Sequence, residues 1–297
     1  MHKIIYDCDN TMGVKERDVD DGLTFLYLLG RKDVCISGVT TTYGNSTMDI
    51  VYDNTLRMFH ELSIQDIPLL RGASSPKNRH SEAAEFLAEK AAESPGEITV
   101  LATGSLTNLL GAYEIDSNFF HHAKQIILMG GITNPLMING KQLDELNFSC
   151  DPEATYQVLS SGAKVTVITG HICLQALFGE KEYKRLMESH DIKIYQYIRN
   201  KTNHWFVYIM KEFGIKGFYN WDIVAGVYLT NPQLFDTNIT NLVSTSEDLK
   251  TGLLKIDNNS NKGYRVNMPT AINNIEEFNE IIFNTWANVA YAFDERK

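Results

Sequence analysis

The sequence has few basic residues: 27 lysines and arginines stand against 37 aspartates and glutamates, for a formal net charge of −10 over 297 residues. A protein that binds nucleic acid through its phosphates needs a basic face. This charge balance therefore argues against nucleic acid as a partner and favours a small or cationic ligand. The sequence also lacks any apolar run long enough to span a bilayer, so we expect no membrane segment.

Cysteine and proline are also scarce. The four cysteines, Cys8, Cys35, Cys150 and Cys173, show neither disulfide nor metal-ligand spacing, and we expect buried, reduced thiols in a cytoplasmic protein. Asp7 comes too early for a signal peptide. There are seven prolines and no Pro/Ser linker, internal repeat or low-complexity tract. A single domain over residues 1–297, with 43% hydrophobic residues to fill its core, is the simplest prediction.

Short apolar runs alternate with segments of helical periodicity through the first two thirds of the chain. Runs rich in aliphatic and β-branched residues occur at 3–7, 34–41, 67–70, 98–102, 125–129 and 164–169. Between them apolar residues recur at helical spacing, as at Val51, Thr55, Met58, Phe59 and Leu62. This order predicts an α/β fold with an open, mostly parallel, doubly wound sheet.

The last third has a different pattern. Residues 179–214 are helical and charged, and we interpret the C-terminal part as a helical lid region. Two strand-like runs, 251–257 and 264–267, flank a polar turn at 258–263, and a final helix is predicted over 275–293. Two long polar loops, 72–82 and 131–144, follow strand ends, where loops commonly carry function.

The most informative feature is a cluster of acids near the N-terminus. Asp7 and Asp9 end the first apolar run, and Asp20 and Asp21 open the next helical pattern. A strand that ends in two carboxylates, followed by a helix that begins with two more, can bring four acids to one point, where repulsion would raise pKa values. A hard divalent cation such as calcium or magnesium relieves that repulsion. Open α/β sheets also bind ligands at the carboxyl end of the first strand.

Helix capping is a simpler explanation of some of these acids. Aspartates suit the first turn of a helix, because its free N–H groups and dipole favour negative charge. Capping therefore accounts for Asp18, Asp20 and Asp21, but it leaves Asp7 and Asp9 on the preceding strand unexplained.

Two known motifs compete with a new metal site. A calcium loop of the EF-hand type starting at Asp7 fails at its sixth place, where Met12 replaces the turn glycine, and a strand precedes it instead of a helix. Residues 4–11 also resemble the first motif of haloacid dehalogenase-like phosphatases, in which Asp7 would accept the phosphoryl group and Asp9 act as acid and base. The later acidic pair of those phosphatases is not evident at a suitable strand end.

Six further motifs follow the acids in order along the chain. They are GVTTTYGN at 38–45, LATGSLTNL at 101–109, LMGG at 128–131, ELN at 145–147, DPEA at 151–154 and WD at 221–222. Together these motifs resemble the inosine–uridine-preferring nucleoside hydrolase family, from residue 3 to about 235 and more faintly to the end. The resemblance implies a Rossmann-like nucleoside hydrolase fold and an N-glycosyl hydrolase that releases free base and ribose.

The resemblance also implies a metal centre and a sugar site. Asp9, Asp21 and Asp222 would be carboxylate ligands of a tightly held Ca²⁺, Thr103 would add its backbone carbonyl, and Asp7 would support the cluster. Asp9 would also be the general base that activates a metal-bound water. The sugar site implied consists of Asp20, Asn147 and Asp222 for the 2′- and 3′-hydroxyls, Glu145 and Asn139 for the 5′-hydroxyl, Met129 along the sugar, and Asn45 near the base or ribose.

The chain departs from the family pattern in four places, two of which lie beside predicted metal ligands. Residues 10–19 form an inserted loop, with Lys15, Glu16 and Arg17 at its tip, where the family has a tight Pro-Gly turn. Such a loop either bulges outward and leaves the metal site intact or shifts Asp20 and the acid that follows it. Trp221 stands where many members have histidine, which resembles the purine-preferring group, whose aromatic ring stacks on the base; burial in the core is the alternative.

The other two departures concern histidines. We interpret His171, in the run at 169–175, as a buried side chain, with an acid near the leaving group as the alternative, and His80, in the loop after the third strand, as a surface side chain. The predicted function is a calcium-dependent ribonucleoside hydrolase with a purine preference, acting in purine salvage, and the resemblance suggests a homodimer or homotetramer. Cleavage of an N-glycosidic bond develops positive charge on the sugar, which nearby carboxylates stabilise. The alternatives are the phosphatase using Asp7 and Asp9, and a non-catalytic nucleoside- or ribose-binding protein.

Overall fold

The computed structural model describes residues 1–257 and 263–291. Its strands are β1 (His2–Cys8), β2 (Val34–Thr41), β3 (Leu69–Leu70), β4 (Ile98–Ala102), β5 (Gln125–Met129), β6 (Leu136–Ile138), β7 (Lys141–Leu143), β8 (Val165–Ile168), β9 (Leu177–Gly179), β10 (Gly217–Tyr219), β11 (Ile239–Leu242) and β12 (Tyr264–Asn267). Its helices are α1 (Asp20–Gly30), α2 (Met48–Glu61), α3 (Glu82–Glu93), α4 (Thr107–Ile115), α5 (Phe119–His122), α6 (Pro152–Leu159), α7 (Gly170–Cys173), α8 (Glu180–Glu188), α9 (Lys193–Phe213), α10 (Trp221–Thr230), α11 (Ser246–Leu249) and α12 (Ile275–Trp286).

Eight of the described strands form one sheet in the order β11-β12-β8-β5-β4-β1-β2-β3. Neighbours in this sheet are parallel except at one edge, where β11 runs antiparallel to β12. The chain builds β2 and β3 on one side of β1 and then β4, β5 and β8 on the other. The predicted open, mostly parallel, doubly wound sheet is confirmed. Its order reverses between β1 and β4, and ligand crevices form outside the carboxyl ends of strands at such a switch point.

Helices cover both faces of the sheet, which explains why the residues in the middle of β1, Ile4, Ile5 and Tyr6, are apolar on both faces. Ile4, Tyr6 and Cys8 pack into a core that includes residues of α1, α10 and α12. Ile5 packs into a second core on the opposite face, among residues of α3, α4 and α6. Because side chains alternate along a strand, Asp7 points to the same face as Ile5 and lies over α4.

The strands are the best-predicted part of the chain. Those predicted at 34–41, 98–102 and 125–129 have the observed bounds, β1 and β8 differ by one residue at their ends, and β3 is shorter than predicted. The helical face predicted after β2 is confirmed, since all five of its residues are buried. Asp151 is the N-cap of α6, with Pro152 in its first turn.

The last third differs from the prediction in its details. Residues 179–214 contain two helices, α8 and α9, with a break between them. Residues 251–257 form only isolated bridges at Leu253 and Ile256, because Gly252 N and Leu253 N donate back to α11 and close its end. The predicted turn at 258–263 lies outside the described residues except for Gly263. The last helix ends at Trp286, earlier than predicted, because backbone N–H groups that follow it bond to carbonyls three residues back instead of four. The predicted end at 293 lies outside the described residues.

The burial predicted for the four cysteines is only partly confirmed. Cys8 and Cys173 are buried and Cys150 is partly buried, but Cys35 is exposed, so its predicted burial is wrong. It lies in the first half of β2, which is less covered than the second half.

Within the described ranges, none of the helices has the length and apolarity that crossing a bilayer requires.

The contact between α12 and α1 provides a test of the core. Trp286 is fully buried, its Nε1 donates to Leu23 O at 3.0 Å, and its ring packs against Phe178 and Phe283. We expect Trp286→Ala to lower the free energy of unfolding by about 3–5 kcal/mol, because it leaves a cavity and an unpaired carbonyl. Urea unfolding measures this. Ile115→Ala, at a 44% exposed position ending α4, is the control and should cost under about 1 kcal/mol. Equal losses of unfolding free energy in the two variants would contradict the placement of Trp286 in the core.

Candidate metal centre and active site

Five aspartates from three separate segments meet at the switch point of the sheet. Asp7 and Asp9 lie at the carboxyl end of β1, Asp20 and Asp21 open α1, and Asp222 lies in the first turn of α10. All five are buried. Carboxylate oxygens of Asp20, Asp21 and Asp222 lie within 4.8 Å of one another. This closest group contains Asp21 and Asp222, two of the acids predicted to bind the metal, together with Asp20, which was predicted for the sugar; Asp7 and Asp9 are buried nearby but are not part of it.

Burial perturbs the ionisation of the whole cluster. It raises the pKa of Asp7 to about 7, that of Asp9 to about 6 and that of Asp20 to about 7. Burial, followed by the charge of neighbouring carboxylates, raises the pKa of Asp21 and Asp222 well above the usual range. These shifts express the cost of holding several negative charges together in a low dielectric.

The cluster fits a divalent cation. Asp7 Oδ1 and Asp21 Oδ2 are buried and accept no hydrogen bond among the described residues. An unpartnered buried carboxylate oxygen is costly, and a bound cation removes that cost. A set of ligands made only of oxygens is what calcium and magnesium prefer. The described residues can therefore hold such an ion between β1, α1 and α10.

The second oxygen of Asp7 is held by the neighbouring elements. Thr40 Oγ1 donates to Asp7 Oδ2 at 2.6 Å, and Asn108 Nδ2 donates to the same oxygen at 2.7 Å. Asn108 also donates to Thr41 O at 2.9 Å and accepts from Ala73 N at 2.8 Å. Thr40 and Asn108 thus position the cluster. Both lie within the motifs named above, but no role was predicted for them. The available signal was a polar residue within a buried strand or at the start of a helix.

Asp9 is oriented by the loop after β2. Asn45 donates to it twice, from its backbone N to Oδ2 at 2.5 Å and from Nδ2 to Oδ1 at 3.2 Å. A Cβ on Gly44 would collide with Asp9 Oδ2, and one on Gly104 would press on the Asp9 side chain and on Thr42. The glycines of two motifs therefore make room for Asp9. The observed partner of Asn45 is this carboxylate, whereas its contact with base or ribose remains a prediction.

Thr103 and Asn147 connect β4 to the cluster and the cavity. Thr103 Oγ1 donates to Asp21 Oδ1 at 2.7 Å, so its hydroxyl contacts the cluster, whereas metal binding by its carbonyl remains a prediction. Asn147 Nδ2 donates to Thr103 O at 2.9 Å and to Met129 O at 3.1 Å. These three residues, all predicted from motifs, form one continuous polar contact beside the aspartates.

The two residues predicted for the 5′-hydroxyl lie in different places. Glu145 lines the cavity, and its carboxylate accepts from Gly131 N, Phe148 N and Ser149 N at 2.8–3.0 Å, which folds the loop around it. Burial raises the pKa of Glu145. Asn139 lies in the turn between β6 and β7, where its Nδ2 donates to the carbonyl at the end of α9. The structure does not bring Asn139 to the cavity wall.

A cavity of about 360 Å³ lies over the cluster, a size suited to a small ligand. Asp20, Asn147 and Asp222 line it at the metal centre. Its other walls are rich in aromatic rings, contributed by Trp205, Tyr208, Phe213, Phe218, Tyr219 and Trp221. Trp221 is partly buried: it packs against the core and also lines this cavity, with its ring 5.4 Å from that of Tyr219.

The inserted loop leaves the acids after it in place, since Asp20 and Asp21 are both part of the cluster. Of the described residues that line the cavity, none is His171 or His80, the two histidines discussed above. His171 Nε2 accepts from Thr133 N at 3.2 Å, and its pKa is lowered by burial. His80 is exposed.

Comparison with known proteins decides the family. The family model described as inosine-uridine preferring nucleoside hydrolase matches residues 4–280. The chain belongs to this family. It is 30% identical over 247 residues to uridine nucleosidase 1 of Arabidopsis thaliana, covering 73% of this chain and 72% of that protein. It is 27% identical over 285 residues to the pyrimidine-specific ribonucleoside hydrolase RihA of Shewanella sp. (strain ANA-3), covering 86% of each.

Solved structures agree on the fold. The plant nucleoside hydrolase PpNRh1 superposes with a TM-score of 0.85 at 22% identity, covering 96% of this chain and 99% of that one. A purine-preferring ribonucleoside hydrolase from Gardnerella vaginalis gives 0.83 at 21% identity, covering 97% and 98%. The predicted fold is confirmed, and so is the predicted enzyme class, an N-glycosyl hydrolase of nucleosides. The likeness of residues 4–11 to phosphatases is local.

The crowded charges of this nucleoside hydrolase lead to a test of the metal centre. Asp21→Asn keeps an acceptor for Thr103 and Tyr6 and replaces the unpartnered oxygen with a neutral group. We expect the metal-free variant to be at least as stable as the metal-free parent, because one repelling charge is gone. Added calcium should raise the Tm of the parent but not of the variant. Thermal unfolding with and without a chelator measures both.

Asp53→Asn, an exposed position on α2, is the control and should keep the full calcium response. A parent protein whose Tm ignores both calcium and magnesium would contradict a metal site at these aspartates.

Proposed function

We propose that this enzyme is a calcium-dependent ribonucleoside hydrolase that favours purine nucleosides, releases free base and ribose, and serves purine salvage. The observation that carries the proposal is the buried group of Asp20, Asp21 and Asp222, with Asp9 beside it, under an aromatic-lined cavity. Calcium is favoured over magnesium because it accepts more oxygen ligands in a less regular geometry. Assembly into a homodimer or homotetramer belongs to the same proposal.

The reaction breaks the bond between C1′ of the ribose and a nitrogen of the base. Positive charge develops on the sugar as the bond stretches, and the carboxylates around the cavity stabilise that state more than the neutral substrate. Asp9, Asp21, Asp222 and the carbonyl of Thr103 would hold the metal ion, with Asp7 in support. The ion, when bound, would orient and acidify the attacking water and hold the ribose diol.

Asp9 is the proposed general base. Its carboxylate is fixed by two donors from Asn45 and by the close approach of two glycines, so its free lone pairs point in a defined direction. Removal of the proton from the attacking water by such a base contributes typically about 10²–10⁴-fold to the rate. Asp20, Asn147 and Asp222 would grip the 2′- and 3′-hydroxyls.

Two more residues complete the proposed sugar site. Met129 and Glu145 both line the cavity and would lie along the sugar and near its 5′-hydroxyl. Asn139 was predicted for the same hydroxyl, but in this structure its amide donates to the carbonyl at the end of α9.

The base is proposed to lie among the aromatic side chains. Trp221 and Tyr219 form one aromatic wall, and Trp205 and Tyr208, stacked 5.2 Å apart, form another. A bicyclic purine buries more area against such walls than a pyrimidine does. The relatives include uridine nucleosidases and a pyrimidine-specific hydrolase, and one structural neighbour is purine-preferring. Both classes of base therefore belong in the assay.

The first test measures ribose released from inosine, adenosine, guanosine, uridine and cytidine with calcium present. Asp9→Ala should lower kcat by at least about 10³-fold while the chain still folds, because the base is lost and one ligand with it. Circular dichroism checks folding, and Asp53→Asn is the matched control with unchanged turnover. Release from none of the five nucleosides by the calcium-loaded parent would reject the function. Near-normal turnover by Asp9→Ala would reject only the role of Asp9 as general base.

The second test concerns Trp221. Replacing its ring by alanine should lower kcat/KM for inosine about tenfold and for uridine by less, because a base–aromatic stack contributes about 1–3 kcal/mol. Trp221→Phe retains a ring and should recover most of the loss. Steady-state kinetics with both substrates gives the comparison. Equal losses for the two nucleosides would show that the ring does not set the preference for purines.

A further inference from the structure

Hydrogen bonds hold the inserted loop of residues 10–19 in place. Asn54 Nδ2 donates to Asn10 O and to Met12 O at 3.2 Å each, which ties the start of the loop to α2. Thr11 Oγ1 donates to Asp18 O at 2.9 Å and joins the two ends of the loop. The side chain of Asn10 is bound within this network and does not reach the metal centre. The loop therefore has a defined position beside the cluster.

The tip of the loop extends from the metal centre to α9. Gly13 packs so closely on the helix that a Cβ there would lie 2.8 Å from Lys201 Cδ. Lys201 is itself held by Glu61, with Nζ 2.7 Å from Oε1. Since α9 also carries Trp205 and Tyr208, the loop closes the cavity on the side between the aspartates and the aromatic wall.

The backbone at the tip turns the next residues into that wall. Glu16 has a φ of 56°, a left-handed conformation that is uncommon without glycine. Arg17 N then donates to Val14 O at 3.2 Å. Glu16, Arg17 and Asp18 all line the cavity as a result. A strained residue held by surrounding contacts often marks a functional segment.

Arg17 is the one basic side chain among the described residues that line this cavity. Its guanidinium has no ion pair or hydrogen bond with any described residue, and it shares the cavity with six acids. These acids are Glu16, Asp18, Asp20, Asp144, Glu145 and Asp222. A guanidinium stays charged at every physiological pH and offers several N–H donors. It is therefore available to a ligand.

The leaving base needs such a group. When the C1′–N bond breaks, its electron pair goes to the base nitrogen, so negative charge develops on the base among carboxylates that oppose it. Trp221 beside the metal centre cannot supply a proton at neutral pH, and His171 lies outside the cavity wall with its Nε2 already accepting a backbone N–H. A cation close to the base stabilises developing negative charge without a proton transfer.

We propose that Arg17 is the leaving-group residue of this enzyme: its guanidinium contacts the departing base and stabilises the negative charge on it. The inference rests on the proposed nucleoside hydrolysis. In this step the C1′–N bond breaks, the electron pair passes to the base nitrogen, Arg17 keeps its protons, and the base takes a proton from solvent water. The metal centre acts on the sugar and the inserted loop acts on the base.

The test compares substrates whose leaving groups differ in their need for stabilisation. Inosine and uridine release poor leaving groups, whereas p-nitrophenyl β-D-ribofuranoside releases a phenolate that its own nitro group stabilises. We expect Arg17→Ala to lower kcat for the nucleosides about 10- to 100-fold, as for loss of a charged hydrogen bond. The same variant should stay within about threefold of the parent on the aryl riboside. Arg17→Lys should restore part of the nucleoside activity.

Lys15→Ala is the matched control, because Lys15 lies in the same tip with an 86% exposed side chain and does not line the cavity. Its activity should match the parent on both substrates. An equal fall of Arg17→Ala on both substrates, or no fall on either, would overturn the inference and leave nucleoside hydrolysis standing. A parent enzyme that cleaves none of the nucleosides would overturn the proposed function and the inference together.

Discussion

The repulsion among buried carboxylates at the end of β1 is the constraint on which the rest of the site depends. Five aspartates lie buried at one place, and two of their oxygens have no donor among the described residues. In a low dielectric such charges are costly unless a cation joins them. The same concentration of negative charge that requires a cation also stabilises positive charge on a sugar. Metal binding and the proposed chemistry thus have one physical origin.

A surrounding set of neutral donors keeps these acids oriented. Thr40 and Asn108 bind Asp7, Asn45 binds Asp9, and Thr103 binds Asp21. The donors come from β2, the loop after it, the end of β4 and the start of α4, which the parallel sheet gathers at one edge. Because none of them carries a charge, they fix the geometry without neutralising the cluster, and the charge remains available to a metal ion and a substrate.

The inserted loop adds a second electrostatic feature of opposite sign. The acid cluster is negative and lies at the end of the cavity proposed for the sugar, whereas Arg17 is positive and lies on the wall that the loop builds towards α9. Cleavage of an N-glycosidic bond separates charge in the same sense, positive on the sugar and negative on the base. A loop that departs from the family pattern therefore complements the shared centre without displacing it.

Much of the sheet was predictable because its evidence is local. The runs at 98–102 and 125–129 are mostly apolar on both faces, and the run at 34–41 is rich in β-branched residues; parallel strands covered by helices favour both patterns. Asp7, Asp9, Asp20 and Asp21 could likewise be grouped, since one strand end and one helix start carry them. The run at 251–257 was misjudged because its backbone donors are used by the preceding helix, a competition that apolar periodicity does not reveal.

By itself the sequence determined the α/β class, the order of strands and helices, and the chemistry of an acid cluster ending the first strand, because these follow from side-chain pattern within short segments. Only the tertiary structure decided that Asp222 N reaches Asp20 Oδ2 across 202 residues, at 3.1 Å. It alone showed that Asn139 binds the end of α9 and that Arg17 lines the cavity. Such contacts join segments far apart in the chain, and packing sets their distances.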